Sequence, residues 1–286
     1  MNVSDVLATT MESLRSRGLG LVGIWLGFFV LSIVLGFVVT MAMGGSMLAA
    51  AGLGMSGDNF GAGMGLGMIG FLALSYLLYI LFYMAQGLTM AHYASPLIAS
   101  DIEASFGAGI RGSLTMLGVV ILLGIASIIV AVLFGILGAV FAMLGDAAAI
   151  LYALILIPAA FYLMCRLCII MPVVAVDGVR NPVTAIARTW NLTSGKVMAI
   201  FLSLLAYIIA AVVVFGGLFA AFFGTMQSYQ ESVMMGSEPG FGSLIGFFVS
   251  FAVVGLAFAA AGAALVSAIH SKLSDMGTKN LSETFG

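Results

Sequence analysis

Residues 114–143 read LTMLGVVILLGIASIIVAVLFGILGAVFAM, a run without a single Asp, Glu, Lys or Arg. A helix rises about 1.5 Å per residue and the hydrocarbon layer of a bilayer is about 30 Å thick, so about 20 apolar residues cross it. A helix that is apolar on every side belongs in a membrane or a very large core. In hydrocarbon the backbone must satisfy its own N–H and C=O groups, and one continuous run does so as a helix. A membrane strand would instead alternate apolar and polar positions over about ten residues, and this run does not alternate.

Working outward, five more stretches read the same way. The spans expected are Leu19–Met43, Leu66–Ala94, Leu114–Met143, Ala148–Val176, Val197–Thr225 and Phe241–Ala268; the only formal charge inside them is Arg166. Over the 286 residues, 63% are hydrophobic and 7% charged, with a mean hydropathy of +1.26. A soluble domain carries about 25% charged residues. This composition excludes a water-soluble globule and a disordered chain. Nine basic against eleven acidic residues, a net charge of -2, exclude a basic nucleic-acid binder. The expected fold is an all-α polytopic helix bundle, one membrane domain over 1–270 with a polar tail over 271–286. Met1–Arg17 carries Asp5, Glu12, Arg15 and Arg17 ahead of any apolar run, so no signal peptide is expected.

Six spans put the N-terminus, the second and fourth links and the C-terminus on one side. Arg15, Arg17, Arg111, Arg180, Arg188, Lys196, Lys272 and Lys279 all fall there, and Arg166 sits near that end of its span. The opposite links, Gly44–Gly65, Leu144–Ala147 and Met226–Gly240, hold Asp58, Asp146, Glu231 and Glu238 but no Lys or Arg. Cytoplasmic loops are the ones enriched in Lys and Arg, so both termini are expected in the cytoplasm. The sequons at Asn2, Asn191 and Asn280 then lie on the cytoplasmic side and are chance matches.

Each odd-numbered span is preceded by a short stretch that reads as an interfacial helix: about Ser4–Arg15, Asp101–Ser113 and Pro182–Trp190. Ser4 or Asp5, Ser100 or Asp101, and Asn181 are the expected caps, with Pro182 suited to the first helical position. Val6, Phe106 and Val183 are each followed twelve residues later by Gly18, Gly118 and Gly195. The pattern predicts three units of interfacial helix plus helical hairpin.

The segment after span four is the most distinctive. It runs Cys165-Arg166-Leu167-Cys168-Ile169-Ile170-Met171-Pro172, then Asp177, then Ala185-Ile186-Ala187-Arg188-Thr189-Trp190-Asn191-Leu192-Thr193-Ser194-Gly195. It resembles the membrane-domain family named after glycerophosphoryl diester phosphodiesterase, whose members show an Arg-Leu pair, a Pro, an acidic residue, an Ala before Ser-Trp, then Leu-Thr-x-Gly. Thr189 stands here for the usual Ser, and Asp177 where Glu is common. The close match covers about 30 residues. The resemblance implies a bacterial inner-membrane protein without an assigned activity, since the catalytic barrel fused to some members has no counterpart in this chain.

Several residues invite a functional reading. A charge at the bilayer centre costs at least about 2.5–3.5 kcal/mol, so Arg166 needs a partner or an exit route. It can bind a phosphate headgroup through its planar fork, or it can snorkel and pair with Asp177, Asp101 or a loop carbonyl. Arg188 and Lys196 can recognise lipid, or serve with Trp190 as an interfacial anchor; Thr193 or Ser194 is expected to cap span five. Cys165-x-x-Cys168 has redox or metal spacing, and His92 and His270 fall at the same end, but two cysteines inside an apolar helix are expected to be packing residues. Met47, Met55, Met64 and Met68 could hold Cu(I), yet a flexible apolar loop is the better reading. Gly23-x-x-x-Gly27 and Gly255-x-x-x-Ala259 suit close helix approach.

No Walker loop, no Ser–His pair and no His/Asp/Glu cluster is present, and no acidic residue lies inside a span. These features point away from an enzyme, a metal or organic cofactor and an ion-coupled transporter. The expected function is a non-enzymatic scaffold or accessory subunit acting on membrane lipids or in a complex, as a homo-oligomer or with other membrane proteins. The alternative is a lipid-handling protein or transporter with a headgroup site of Arg166, Arg188, Lys196 and Asp177.

Overall fold

The computed structural model describes the backbone of residues 1–52, 58–234 and 242–285, and the side chains among these except at 43–52, 58–68, 149, 232–233, 243–244 and 275–285. Every regular element among the described residues is a helix: α1 (Val3–Gly52), α2 (Asp58–Ala94), α3 (Ile102–Met143), α4 (Asp146–Leu167), α5 (Ile170–Ala175), α6 (Pro182–Leu192), α7 (Val197–Met234) and α8 (Gly242–Phe285). Among the described residues, six stretches are long and apolar enough to cross a membrane: Val3–Ala42, Ile69–Ala94, Ile102–Met143, Asp146–Ala175, Val197–Glu231 and Ile245–Ser274. The chain is an all-α integral membrane protein.

The element boundaries correct several expectations. The first two short helices are not separate, because Ser4–Arg15 continues into α1 and Asp101–Ser113 into α3. Gly18 and Gly118 keep helical backbone, and a glycine inside a helix costs only about 0.5–1 kcal/mol relative to Ala. The third is separate, because Gly195 adopts φ +69° and turns the chain between α6 and α7. Caps follow local chemistry. Asp101 accepts from Glu103 N at 3.0 Å, and Asn181 accepts from Val183 N at 2.9 Å and Thr184 N at 3.3 Å, with Pro182 next. Helix α1 starts at Val3, ahead of Ser4 and Asp5.

The fourth span is broken at Cys168–Ile169, between α4 and α5. Pro172 explains the break: it has no N–H for the Cys168 carbonyl, and its ring crowds that oxygen. Gly145, at φ +105°, makes the tight link between α3 and α4. The expected Gly44–Gly65 loop is helical up to Gly52 and again from Asp58, and the side chains of Met47, Met55, Met64 and Met68 lie outside the described residues. The expected polar tail continues α8 as helix to Phe285.

Packing is concentrated at one end of the bundle, the end that carries the basic residues. One core cluster joins Leu88, Val119, Cys165, Val173, Ile200 and Ile269; a second joins Leu21, Ile24 and Phe28 to Ala85, Tyr93 and Ala264. Glycine lets α3 lie on α2 there: a Cβ on Gly109 would run into Thr89 Oγ1 and sit 2.6 Å from the Ala85 carbonyl. Gly23, Gly27 and Gly255 face open space, so these small residues do not mediate helix approach within the chain. Away from this collar the helices expose apolar faces, with Ile128 65% and Val213 68% accessible. Aromatic pairs hold α3 to α4 (Phe141–Tyr152, 5.4 Å) and α7 to α8 (Phe222–Phe247, 4.4 Å) in these outer parts.

Candidate functional site

Arg166 lies in the last turn of α4 and is 8% exposed. Helical spacing puts Tyr162 one turn before it, and the phenol oxygen accepts from Nε at 3.0 Å and Nη2 at 2.9 Å. The fold-back through α5 and α6 brings the Trp190 carbonyl 2.9 Å from Nη1 and Thr193 Oγ1 3.4 Å from it. The guanidinium also lies 4.5 Å above the Trp190 ring. Of the partners the sequence offers, a backbone carbonyl takes this side chain; neither Asp177 nor Asp101 does. The charge is held by a carbonyl, a phenol and a π face, which is how Arg is accommodated in apolar surroundings. Thr193 does not cap α7: its hydroxyl turns back to the Thr189 carbonyl at 2.9 Å.

Asp177 follows α5 and pairs instead with Arg188 of α6, Nε to Oδ2 2.6 Å, and with His270 of α8, Nε2 to Oδ2 3.3 Å. Burial raises the Asp177 pKa, but hydrogen bonds from His270 and Arg188 and the charges beside them outweigh it and hold the carboxyl below its ordinary value. Ser274 Oγ approaches the same His270 Nε2 at 3.4 Å. A relay needs the two imidazole nitrogens to face Ser and Asp separately, so this trio is not arranged as a nucleophilic triad. His270 Nδ1 and Thr189 Oγ1 are buried without a partner among the described residues.

Other polar contacts tie the same end together across long sequence distances. Arg17 of α1 donates to the carbonyls of Tyr93, Ser95 and Ile98 beyond and within the end of α2, the first at 2.9 Å and the last at 3.1 Å. Ser13 donates to the Ala94 carbonyl at 2.9 Å, Ser267 to Ala91 at 2.8 Å and Thr115 to Arg180 at 3.0 Å. Each closes a helix terminus or loop carbonyl that has no intrahelical donor or shares one.

The structure therefore separates the expected site residues into two constellations. Arg166 and Trp190 form one, Asp177 and Arg188 the other, and Lys196 stands before α7. The sequence does not single out Tyr162 as a partner of Arg166, and it offers His270 as a metal-ligand candidate beside the cysteines rather than as a partner of Asp177. The i, i+4 spacing of Tyr162 and Arg166 is a readable signal; nothing local announces that His270 reaches Asp177, 93 residues away. Cys165 is buried in the core, and Cys168 donates to the Cys165 carbonyl at 3.2 Å. His92 Nδ1 lies 2.9 Å from Ser105 Oγ. Among the described residues no three His, Cys, Asp or Glu side chains converge as metal ligands.

A groove of about 520 Å³ runs along the membrane side of the first constellation, lined by Ile157, Pro158, Phe161, Tyr162, Val197 and Phe201. It lies between α4 and α7, and Lys196 immediately precedes Val197 of its α7 wall in the chain. Comparison with family models, with curated proteins and with solved structures finds no match for this chain.

Proposed function

We propose that this integral membrane protein is a non-enzymatic scaffold or accessory subunit that organises lipids or a partner complex. The carrying observation is the division of the bundle into a collar, where Arg166, Arg17 and Asp177 are engaged by the chain's own groups, and outer arms whose apolar faces the chain leaves uncovered. A guanidinium held by four internal hydrogen bonds and a π face is a fastening rather than a waiting substrate ligand. Crosslinking in native membranes from cysteines placed at Ile128 and Val213, followed by mass measurement in mild detergent, tests the reading. A stoichiometric partner or a homo-oligomer is expected, and a monomer without a crosslinked partner counts against it.

The reading includes membership of the glycerophosphoryl diester phosphodiesterase membrane-domain family, a bacterial inner-membrane location and cytoplasmic termini. The motif from Arg166 to Gly195 supports the first two, and the one-sided distribution of Lys and Arg supports the third. A cysteine placed at Thr278 should react with an impermeant maleimide only after cells are permeabilised; labelling of intact cells reverses the orientation.

The second reading, a lipid-handling protein or transporter with a headgroup site, is favoured by the groove beside Lys196. Since Arg166 is engaged and Arg188 pairs with Asp177, the headgroup would fall to Lys196, with an acyl chain between Pro158 and Phe201. Lys196→Glu should then lower the anionic lipid that copurifies, with no change in the neutral lipid.

A further inference from the structure

Two clefts open among the spans on the membrane side of the collar. One, of about 650 Å³, is walled by Trp25, Phe28, Tyr79, Tyr83 and Gln86 among others. The second, of about 280 Å³, is walled by Trp25, Tyr83, Gln86, Met171, Tyr207 and Gly262. Trp25, Tyr83 and Gln86 stand at the boundary of both. All three lie inside stretches that cross the membrane.

Some polar groups at this depth are served within the chain. Tyr207 donates to the Phe258 carbonyl at 2.9 Å and Ser32 to the Phe29 carbonyl at 2.7 Å, so each satisfies itself within the chain. The Gln86 carboxamide, the Trp25 indole N–H and the Tyr83 hydroxyl make no hydrogen bond to any described residue. A polar group without a partner in hydrocarbon costs several kcal/mol, on the order of 2–7 for an amide or hydroxyl. Gln86 lies eight residues before the end of α2, about 12 Å along the helix from its terminus, and is half-buried.

The chemistry of the walls defines what would serve them. Donors predominate on the walls, the indole N–H, the phenol O–H and the carboxamide NH₂, beside the acceptor oxygens of Gln86 and Tyr83, so the ligand offers mainly acceptor oxygens. No charged side chain is among the described residues lining either cleft, so its head is uncharged. Trp25, Phe28, Phe29 and Phe82 give an aromatic wall, and the open sides of the clefts let a hydrocarbon tail leave toward lipid. We propose that these clefts bind a neutral amphiphile, a long hydrocarbon bearing an uncharged carbonyl-rich head, whose carbonyl oxygens accept from Gln86, Trp25 and Tyr83. Isoprenoid quinones and diacylglycerols share this chemistry. The inference is independent of the scaffold reading, because it concerns inner clefts rather than the outer faces.

The two tryptophans of the chain, Trp25 and Trp190, make the test direct. In a Trp190→Phe background, Trp25 is the sole indole fluorophore, and the protein is reconstituted in phosphatidylcholine nanodiscs. A decyl-substituted benzoquinone, itself a quencher, should quench Trp25 saturably. Gln86→Leu should weaken the apparent affinity about tenfold, and Tyr83→Phe, at a more exposed hydroxyl, about threefold to fivefold, as expected for one or two lost hydrogen bonds. Dioleoylglycerol that displaces the quinone assigns the clefts to ester carbonyls; dioleoylglycerol that fails to displace it assigns them to a quinone ring, and either result upholds the neutral carbonyl head. Quenching that rises without saturation, or a saturation curve identical in the parent and both variants, overturns the proposal. Tyr83→Phe removes one oxygen only, so it reads out even where Gln86→Leu fails to fold.

Discussion

The Arg166 guanidinium donates to the carbonyl of Trp190 at 2.9 Å and lies above the ring of the same residue at 4.5 Å. One side chain thus grips both the backbone and the indole at the end of α6 and fixes the fold-back onto α4. Lysine has the charge but neither the fork nor the flat face. Arg166→Lys should lower stability by about 1–3 kcal/mol, read as a fall in the midpoint of thermal unfolding in detergent. Unchanged melting would show that the grip contributes nothing.

Asp177 imposes a pH dependence. Its pKa is lowered in the folded protein, so its contribution is complete above the unfolded value of about 3.9 and is lost as pH falls through the lower, folded value. Stability of the parent should therefore drop on acidification below about pH 4. Asp177→Asn should flatten that acid limb and destabilise the protein at neutral pH, because His270 and Arg188 lose their charged acceptor. A pair of pH–stability curves that superimpose would refute the linkage.

Gly109 marks the tightest approach of α2 and α3. A Cβ there meets the Ala85 carbonyl at 2.6 Å, and backbone yields less readily than a side chain. Gly109→Ala should cost about 1–3 kcal/mol through overpacking, whereas Gly124→Ala, with nothing within 4 Å, should be neutral or slightly stabilising. Melting of the two variants side by side decides it.

Gly195 tests backbone conformation alone. Its φ is +69° and a methyl group added there would meet nothing within 4 Å, so any loss is conformational. Gly195→Ala should cost about 1–2 kcal/mol, and Gly195→Asn less, since Asn tolerates the left-handed region. Equal effects of Ala and Asn would point to lost packing instead.

Much of this architecture is legible from residue order, and the reasons are physical. The spans are long, uninterrupted and apolar on every side, so no tertiary context competes with them. The Asn181–Pro182 start of α6 is a local effect of a cap and a residue suited to the first turn, whereas the break before Pro172 interrupts a span expected to run unbroken from Ala148 to Val176. The fusion of the first two short helices with their spans is not legible, because Gly18 and Gly118 permit either a turn or a continued helix and distant packing decides. The same holds for the sites. Sequence names Arg166 as a residue in need of a partner, Asp177 as one candidate and Arg188 as a lipid or anchor residue, but which pairs with which depends on α6 folding back and on α8 bringing His270 from 93 residues away. The clefts at Gln86 are assembled from helices distant in sequence and leave no local trace.

The one-ended collar has a mechanical consequence. Stiffness resides where Ser13, Arg17, Thr115 and Ser267 stitch helix ends together, and the outer arms, α3 held to α4 and α7 to α8 by their aromatic pairs, can lean about that anchored base. Stretching or thinning of the distal leaflet is then absorbed by tilt of the arms, while the stitched base keeps its shape. Spin labels at Val130 and Ile209 should change separation between thick and thin bilayers, and labels at Met116 and Leu265 should not; equal movement of both pairs would mean the bundle deforms as a single rod.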